Sequence, residues 1–126
     1  MSLTPEILKK RTFTFALNTL KTIDGLKKTI ANDVMSKQVL RSATSVGANY
    51  RAACKAKSTA DFINKLKIVE EESDESVYWL ELIKEYNNIN ESNYESLLKE
   101  SRELERIFSA SAITAKNNKL KQQTQS

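Results

Sequence analysis

Apolar residues recur every three or four positions in four successive segments, and this periodicity limits the fold more than any other feature of the chain. No segment alternates apolar and polar residues as a half-buried strand does. The 126 residues include two glycines and one proline, too few for the many turns of a β-sandwich. The segments span about residues 4–31, 34–56, 59–88 and 91–117. They predict an all-α protein, an antiparallel up-down-up-down four-helix bundle, followed by a frayed polar tail at residues 118–126.

Helix starts and buried faces can be assigned from local patterns. Thr4 before Pro5 is a typical N-cap, and Ser58 with Asp61 three positions later fits a capping box. Gly25 interrupts the first segment and predicts a bend or fraying there. Cys54 is expected to be a small buried thiol on the apolar face of the second helix. The residues predicted to face the core in the first helix are Phe13, Leu17, Leu20, Ile23, Leu26 and Ile30.

The chain contains no histidine, which excludes most enzyme classes. Histidine is the usual general base, the partner in Ser-His and Cys-His pairs and the commonest metal ligand. The acidic cluster at residues 70–75 therefore lacks the Glu-x-x-His ligands of di-iron bundles. We expect no catalysis, no bound transition metal and no cofactor. The single cysteine, the lack of a signal peptide and the lack of a long apolar run predict a cytoplasmic protein without membrane contact.

Charge is distributed unevenly between the two halves of the chain. Residues 1–57 contain 11 Lys and Arg and 3 Asp and Glu, whereas residues 58–126 contain 9 and 13. One interpretation is that basic helices attract acidic ones, within a subunit or between subunits. The other is that the basic half forms a surface that binds phosphate.

Cations form two lines at helical spacing. In the second helix the line carries small residues, Thr44 and Ala48, between its cations, and neither line contains an aromatic residue for base stacking. Binding through these lines would follow the nucleic-acid backbone rather than the sequence. The predicted nucleic-acid contacts are Lys37, Arg41, Arg51 and Lys55 of the second helix and Lys10, Lys21 and Lys28 of the first.

A polar strip lies beside the cations of the second helix. Its members are Gln38, Ser42, Ser45 and Asn49. Small hydroxyls and an amide at this spacing favour helix packing or a subunit interface over a catalytic row.

Two stretches are more specific than a generic helix. They are QVLRSATSVGANYRAA at residues 38–53 and ADFINKLKIVEEESDESVYWLELI at residues 60–83. Both resemble the bacterial four-helix bundle family named for 23S ribosomal RNA intervening-sequence proteins. The resemblance implies a ring-shaped homopentamer without enzymatic activity. A related member is the accessory variability protein of diversity-generating retroelements, which implies a reverse transcriptase or another protein, together with nucleic acid, as partners.

Two functional hypotheses remain open at this point. In the first, a cytoplasmic homo-oligomer binds RNA or DNA through the basic lines, without strong sequence preference. In the second, the same oligomer is a protein-protein adaptor, and acidic faces of neighbouring subunits neutralise the basic lines. The salt dependence of nucleic-acid affinity separates the two.

Overall fold

Four helices account for nearly all of the chain. The computed structural model describes residues 3–125, without the side chain of Gln125, and contains no strand within that range. The helices are α1 (Pro5–Asp24), α2 (Ile30–Cys54), α3 (Thr59–Asn87) and α4 (Ser92–Gln125). Each helix packs against its neighbours in sequence, α1 also packs against α4, and the pairs α1–α3 and α2–α4 are diagonal. The predicted all-α four-helix architecture is confirmed.

Side-chain oxygens cap the first three helices. Thr4 Oγ1 accepts a hydrogen bond from the backbone N–H of Ile7 at 3.2 Å, and Ser58 Oγ accepts one from Asp61 at 3.1 Å, as the sequence predicts. At α2 the cap is Thr29, whose hydroxyl accepts from the backbone N–H of Asn32 at 3.0 Å. These bonds satisfy donors that a helix start leaves without intrahelical partners.

Three predicted boundaries are wrong. Helix α1 ends at Asp24 instead of residue 31, and α2 begins at Ile30 instead of residue 34. The connection between α1 and α2 is stabilised by a hydrogen bond that the Asn32 side chain donates to the Lys27 carbonyl at 2.9 Å. Helix α4 does not fade near residue 117 but continues to Gln125, since no glycine or proline follows residue 92 to interrupt it.

The predicted inner face of α1 also requires correction. Its buried residues are Leu8, Thr12, Phe15, Thr19 and Ile23. Of the predicted inner residues, Ile23 is buried and Leu26 is partly buried, whereas Phe13, Leu17, Leu20 and Ile30 are exposed. Thr12 and Thr19 are tolerated in the core because their hydroxyls donate to the carbonyls of Leu8 and Phe15, each at 2.8 Å.

The core itself is formed mainly by α2, α3 and α4. Its large fully buried side chains include Leu66, Leu80 and Phe108, and the Phe108 ring lies 5.3 Å from that of Tyr50. The last buried residue is Ala112, so residues 113–124 of α4 contribute no buried side chain. Cys54, predicted to be buried, is exposed at the end of α2. No helix in the described range is long and apolar enough to cross a membrane.

Candidate nucleic-acid interface

The cations of α2 share one outward face. Lys37, Arg41 and Arg51 lie within the helix, and Lys55 is its C-cap residue. All four side chains are exposed. Because successive residues turn by about 100°, Thr44 and Ala48 lie on the same face between them. Their small size leaves the helix backbone open to close approach by a partner.

Arg41 is already bound within the subunit. Its Nη1 atom lies 3.3 Å from both carboxylate oxygens of Glu72, and its Nη2 atom donates to Glu75 Oε1. The hydrogen bond to Glu75 and the charge of Glu72 raise the pKa of the Arg41 guanidinium. Glu75 also accepts a hydrogen bond from the Trp79 indole at 3.3 Å. Arg41 therefore pairs with two carboxylates of α3. It is not the free cation that its position on the line predicted.

The other α2 cations are less engaged. Lys37 lies 3.3 Å from Asp33 one turn earlier, but both side chains are about 70% exposed, and such pairs exchange readily with other ions. Arg51 and Lys55 have no ion-pair partner among residues 3–125. These two cations, near the C-terminal end of α2, are the ones available to an external anion.

The predicted line in the first helix is shorter than expected. Lys10 and Lys21 are exposed on α1, and a separation of eleven residues places them on nearly the same side of the helix. Lys28 lies in the connection after α1, because the helix ends at Asp24. None of the three has an ion-pair partner within the described range. Lys28 does not share a helical face with the other two.

One member of the polar strip of α2 contacts α3. Ser42 is buried and accepts a hydrogen bond from the Ser76 hydroxyl of α3 at 3.0 Å. Ser45 donates to the Arg41 carbonyl at 2.6 Å, and Asn49 donates to the Ser45 carbonyl at 2.9 Å. Gln38, Ser45 and Asn49 are half-buried. Ser42 thus serves helix packing inside the subunit, and nothing in the strip pairs a nucleophile with a base.

Sequence reasoning overlooked the cations at the end of α4. Lys116, Lys119 and Lys121 lie on the helical extension beyond Ala112, where a frayed tail was expected. No Asp or Glu follows Glu105, so this part of α4 is purely cationic. A charge count by shorter windows would have found it, because the acidic residues of α3 conceal it in the sum over residues 58–126.

The described residues also offer few metal-binding groups and cavities. Among residues 3–124 no group of three carboxylate, thiol or imidazole side chains is arranged to hold a metal ion. A cavity of about 670 Å³ opens at the bundle end where α1 begins, between Leu8, Tyr50 and Phe62 and the α4 residues Arg106 and Ile107. Its walls are mainly apolar, and Glu103 and Arg106 are its charged members.

Comparison with known proteins gives two similarities. Residues 6–110 match a family model described as 23S rRNA-intervening sequence protein. A crystal structure from Bacteroides thetaiotaomicron, of a protein of unknown function from the S23 ribosomal protein family, is similar with a TM-score of 0.71 and 38% sequence identity. That similarity covers 82% of this chain and 96% of the other. No curated protein matches the chain.

Proposed function

The chain belongs to the family of 23S rRNA-intervening sequence proteins, and from that membership we propose that it is a non-enzymatic, oligomeric bundle protein that binds nucleic acid. The resemblance noted at residues 38–53 and 60–83 is confirmed by the family match. The proposed contacts are made to the phosphate backbone by the cations of α2, without strong sequence preference. The absence of histidine supports a role without catalysis.

The observation that carries the proposal is the free state of Arg51 and Lys55. Both are exposed, and neither has an ion-pair partner within the described range, whereas Arg41 on the same face is bound to α3. A cation without an internal partner gives up no existing ion pair when it binds phosphate. Counterion release from the nucleic acid then favours binding.

The composition of the α2 face supports backbone recognition. Between the cations lie Thr44 and Ala48, and no aromatic side chain is present on this line to stack on a base. Without stacking or a row of amide side chains, base identity contributes little. Unrelated RNA and DNA sequences are therefore expected to bind with similar affinity.

We further propose that the functional unit is a ring-shaped homopentamer, as the family resemblance implies. Five copies of a chain with a net charge of +4 bring together a summed charge of +20. Several weak phosphate contacts held in one assembly raise the overall affinity far above that of one subunit. Repetition thus compensates for the small number of free cations on each α2 face.

The test compares charge reversals of free cations at two places. The variant Arg51→Glu/Lys55→Glu alters the proposed contacts. The control Lys99→Glu/Arg106→Glu reverses two exposed cations of α4 that also have no ion-pair partner among residues 3–125. Affinity for several unrelated RNA and duplex DNA sequences is measured by fluorescence anisotropy over a range of salt concentrations. The oligomer mass of each protein is measured in parallel.

We expect the wild-type affinity for duplex DNA to fall with salt at a log-log slope of about −0.9 per phosphate contact. The α2 variant should bind all sequences more weakly, and its slope should be shallower by about one for each phosphate that the protein no longer neutralises. The control should retain most of its affinity. An intact oligomer that does not bind nucleic acid even at low salt would contradict the proposal.

One observation favours the adaptor as a second candidate. The carboxylates of Glu72 and Glu75 neutralise Arg41, which shows that α3 can take up α2 charge within a subunit. If neighbouring subunits neutralise Arg51 and Lys55 in the same way, the protein functions through protein contacts alone. The charge reversals would then break the oligomer, and neither the wild type nor the variant would bind nucleic acid.

A further inference from the structure

Exposed apolar side chains form one stripe on α1 and one on α3. The α1 stripe consists of Phe13, Leu17 and Leu20, and the α3 stripe consists of Tyr78, Leu82 and Tyr86. Within each stripe the spacing of three or four residues places the side chains on one side of the helix. The sequence pattern predicted that the α1 stripe faces the core, because it is more apolar than the threonine-containing face that is actually buried. Apolar stripes of this kind on a helix surface mark contact sites.

The two stripes lie on different sides of the bundle. Helices α1 and α3 are diagonal and do not pack against each other. Thr12 of α1 faces Gly47 of α2, since a Cβ atom added to Gly47 would lie 3.2 Å from Thr12 Oγ1. Phe13 follows Thr12 and therefore lies about 100° further around the helix, outside the contact with α2. The two stripes are thus separate apolar surfaces, and neither is covered within the subunit.

The unpaired charges beside the two stripes are opposite in net sign. Beside the α1 stripe the exposed cations Lys10 and Lys21 outnumber the exposed carboxylate of Asp24, and beside the α3 stripe the exposed carboxylates of Glu71, Asp74 and Glu85 outnumber the exposed cation Lys67. None of these seven side chains has an ion-pair partner among residues 3–125. Packing α1 on α1 would oppose two surfaces of the same net charge, as would packing α3 on α3. Packing α1 on α3 pairs cations with carboxylates at the rim of an apolar contact.

We propose that the α1 stripe of one copy packs on the α3 stripe of the next copy, in a head-to-tail contact. The inference depends on the proposed oligomer and identifies the surfaces that build it. A contact between two different surfaces leaves one of each free on every added subunit, so it generates a ring when the rotation closes. Neither surface includes the outer face of α2.

This contact divides the predicted cations between two tasks. Lys10 and Lys21 lie beside the α1 stripe and meet the acidic rim of the neighbouring α3. Arg51 and Lys55 remain on the uncovered face of α2 and are available to phosphate. The basic half of the chain therefore serves both assembly and nucleic-acid binding, with different residues for each.

Two matched substitutions test the contact. Leu17 and Leu82 are 40% and 39% exposed, so Leu17→Glu and Leu82→Glu introduce the same charge at equal exposure on the two stripes. The control is Ile113→Glu on α4, at a residue 58% exposed and outside both stripes. Circular dichroism checks that each variant retains its helical content, and native mass measurement gives its oligomeric state.

We expect Leu17→Glu and Leu82→Glu each to be monomeric at concentrations where the wild type and Ile113→Glu assemble. Mixing the two monomeric variants should give a one-to-one heterodimer, because the intact α3 stripe of the first still fits the intact α1 stripe of the second. Such a mixture cannot grow further, since both remaining surfaces are damaged. A mixture that stays monomeric, or gives larger assemblies, would overturn the head-to-tail contact.

The remaining outcomes separate this inference from the proposed function. If either single variant still assembles like the wild type, the stripe concerned is not an interface, and the proposed oligomer is unaffected. If the wild-type protein itself is monomeric at all accessible concentrations, the oligomer proposal fails together with this contact. In either case the effect of Arg51→Glu/Lys55→Glu on nucleic-acid affinity is measured independently.

Discussion

Replacing Arg11 should loosen the contact between α1 and α4. Arg11 Nε donates to Glu100 Oε2 at 3.0 Å, and Arg11 Nη2 donates to Glu100 Oε1 at 2.6 Å. The same Nη2 atom lies 3.2 Å from Glu103 Oε1. A bidentate arginine-carboxylate pair is stronger and more directional than a single contact. We expect Arg11→Met to destabilise the bundle because it removes this link between the helices.

The magnitude follows from the partial burial of the pair. The side chains of Arg11 and Glu100 are 24% and 30% exposed, so solvent screens them incompletely. Exposed pairs contribute about 0.2–1 kcal/mol, and removing one partner of a buried pair costs about 3–5 kcal/mol. The geometry here lies between these cases. We expect a coupling free energy of about 1–2 kcal/mol between Arg11 and Glu100.

A double-mutant cycle measures this coupling directly. Arg11→Met, Glu100→Gln, the double variant and the wild type are unfolded in urea at one fixed subunit concentration. The control is Glu81→Gln, since Glu81 lies 3.2 Å from Arg102 with both side chains about half exposed, and its replacement should change stability by at most about 1 kcal/mol. A coupling energy below about 0.3 kcal/mol, within the additivity error of such cycles, would refute the reasoning.

Two further changes test the core and its response to pH. Phe108 is fully buried against Tyr50, so Phe108→Ala should lower the free energy of unfolding by about 3–5 kcal/mol in denaturant titrations. The Tyr94 hydroxyl donates to the Leu80 carbonyl at 2.5 Å, and burial raises its pKa. Its contribution should be constant below the unfolded pKa of about 10 and be lost as pH rises through the higher folded pKa. Tyr94→Phe should reduce the fall in stability above about pH 10, and part of the fall should persist because burial also raises the pKa of Tyr50. An unchanged alkaline profile would contradict this.

The sequence predicted α2, α3 and α4 better than α1. In α2 and α3 the buried faces contain Val39, Val46, Leu66 and Leu80, whose hydropathy agrees with their position. In α1 the buried face includes Thr12 and Thr19, which are polar residues whose hydroxyls form hydrogen bonds to the preceding turn. A periodicity analysis uses the hydropathy of each side chain separately and does not include that bond. It therefore predicted that the exposed stripe faces the core.

The sequence predicted where the candidate site lies, but not which of its cations lack a partner within the subunit. The spacing of Lys37, Arg41, Arg51 and Lys55 correctly indicated one exposed face of α2. The engagement of Arg41 depends on residues 31 and 34 positions away on α3, and helical spacing within α2 contains no information about them. Pairing across helices is set by register, which only the assembled bundle defines.

The extension of α4 beyond Ala112 has a consequence for how binding can be observed. Ala115 is the last hydrophobic residue that packs against the core, and residues 116–124 beyond it form a helical segment so short that it is marginal in water on its own. Its amide hydrogens should therefore exchange with solvent much faster than those of the core. A polyanion that neutralises Lys116, Lys119 and Lys121 would remove their mutual repulsion and slow this exchange. The C-terminal turns of α4 thus provide an intrinsic reporter of bound polyanion, whose signal is separate from the global stability of the bundle.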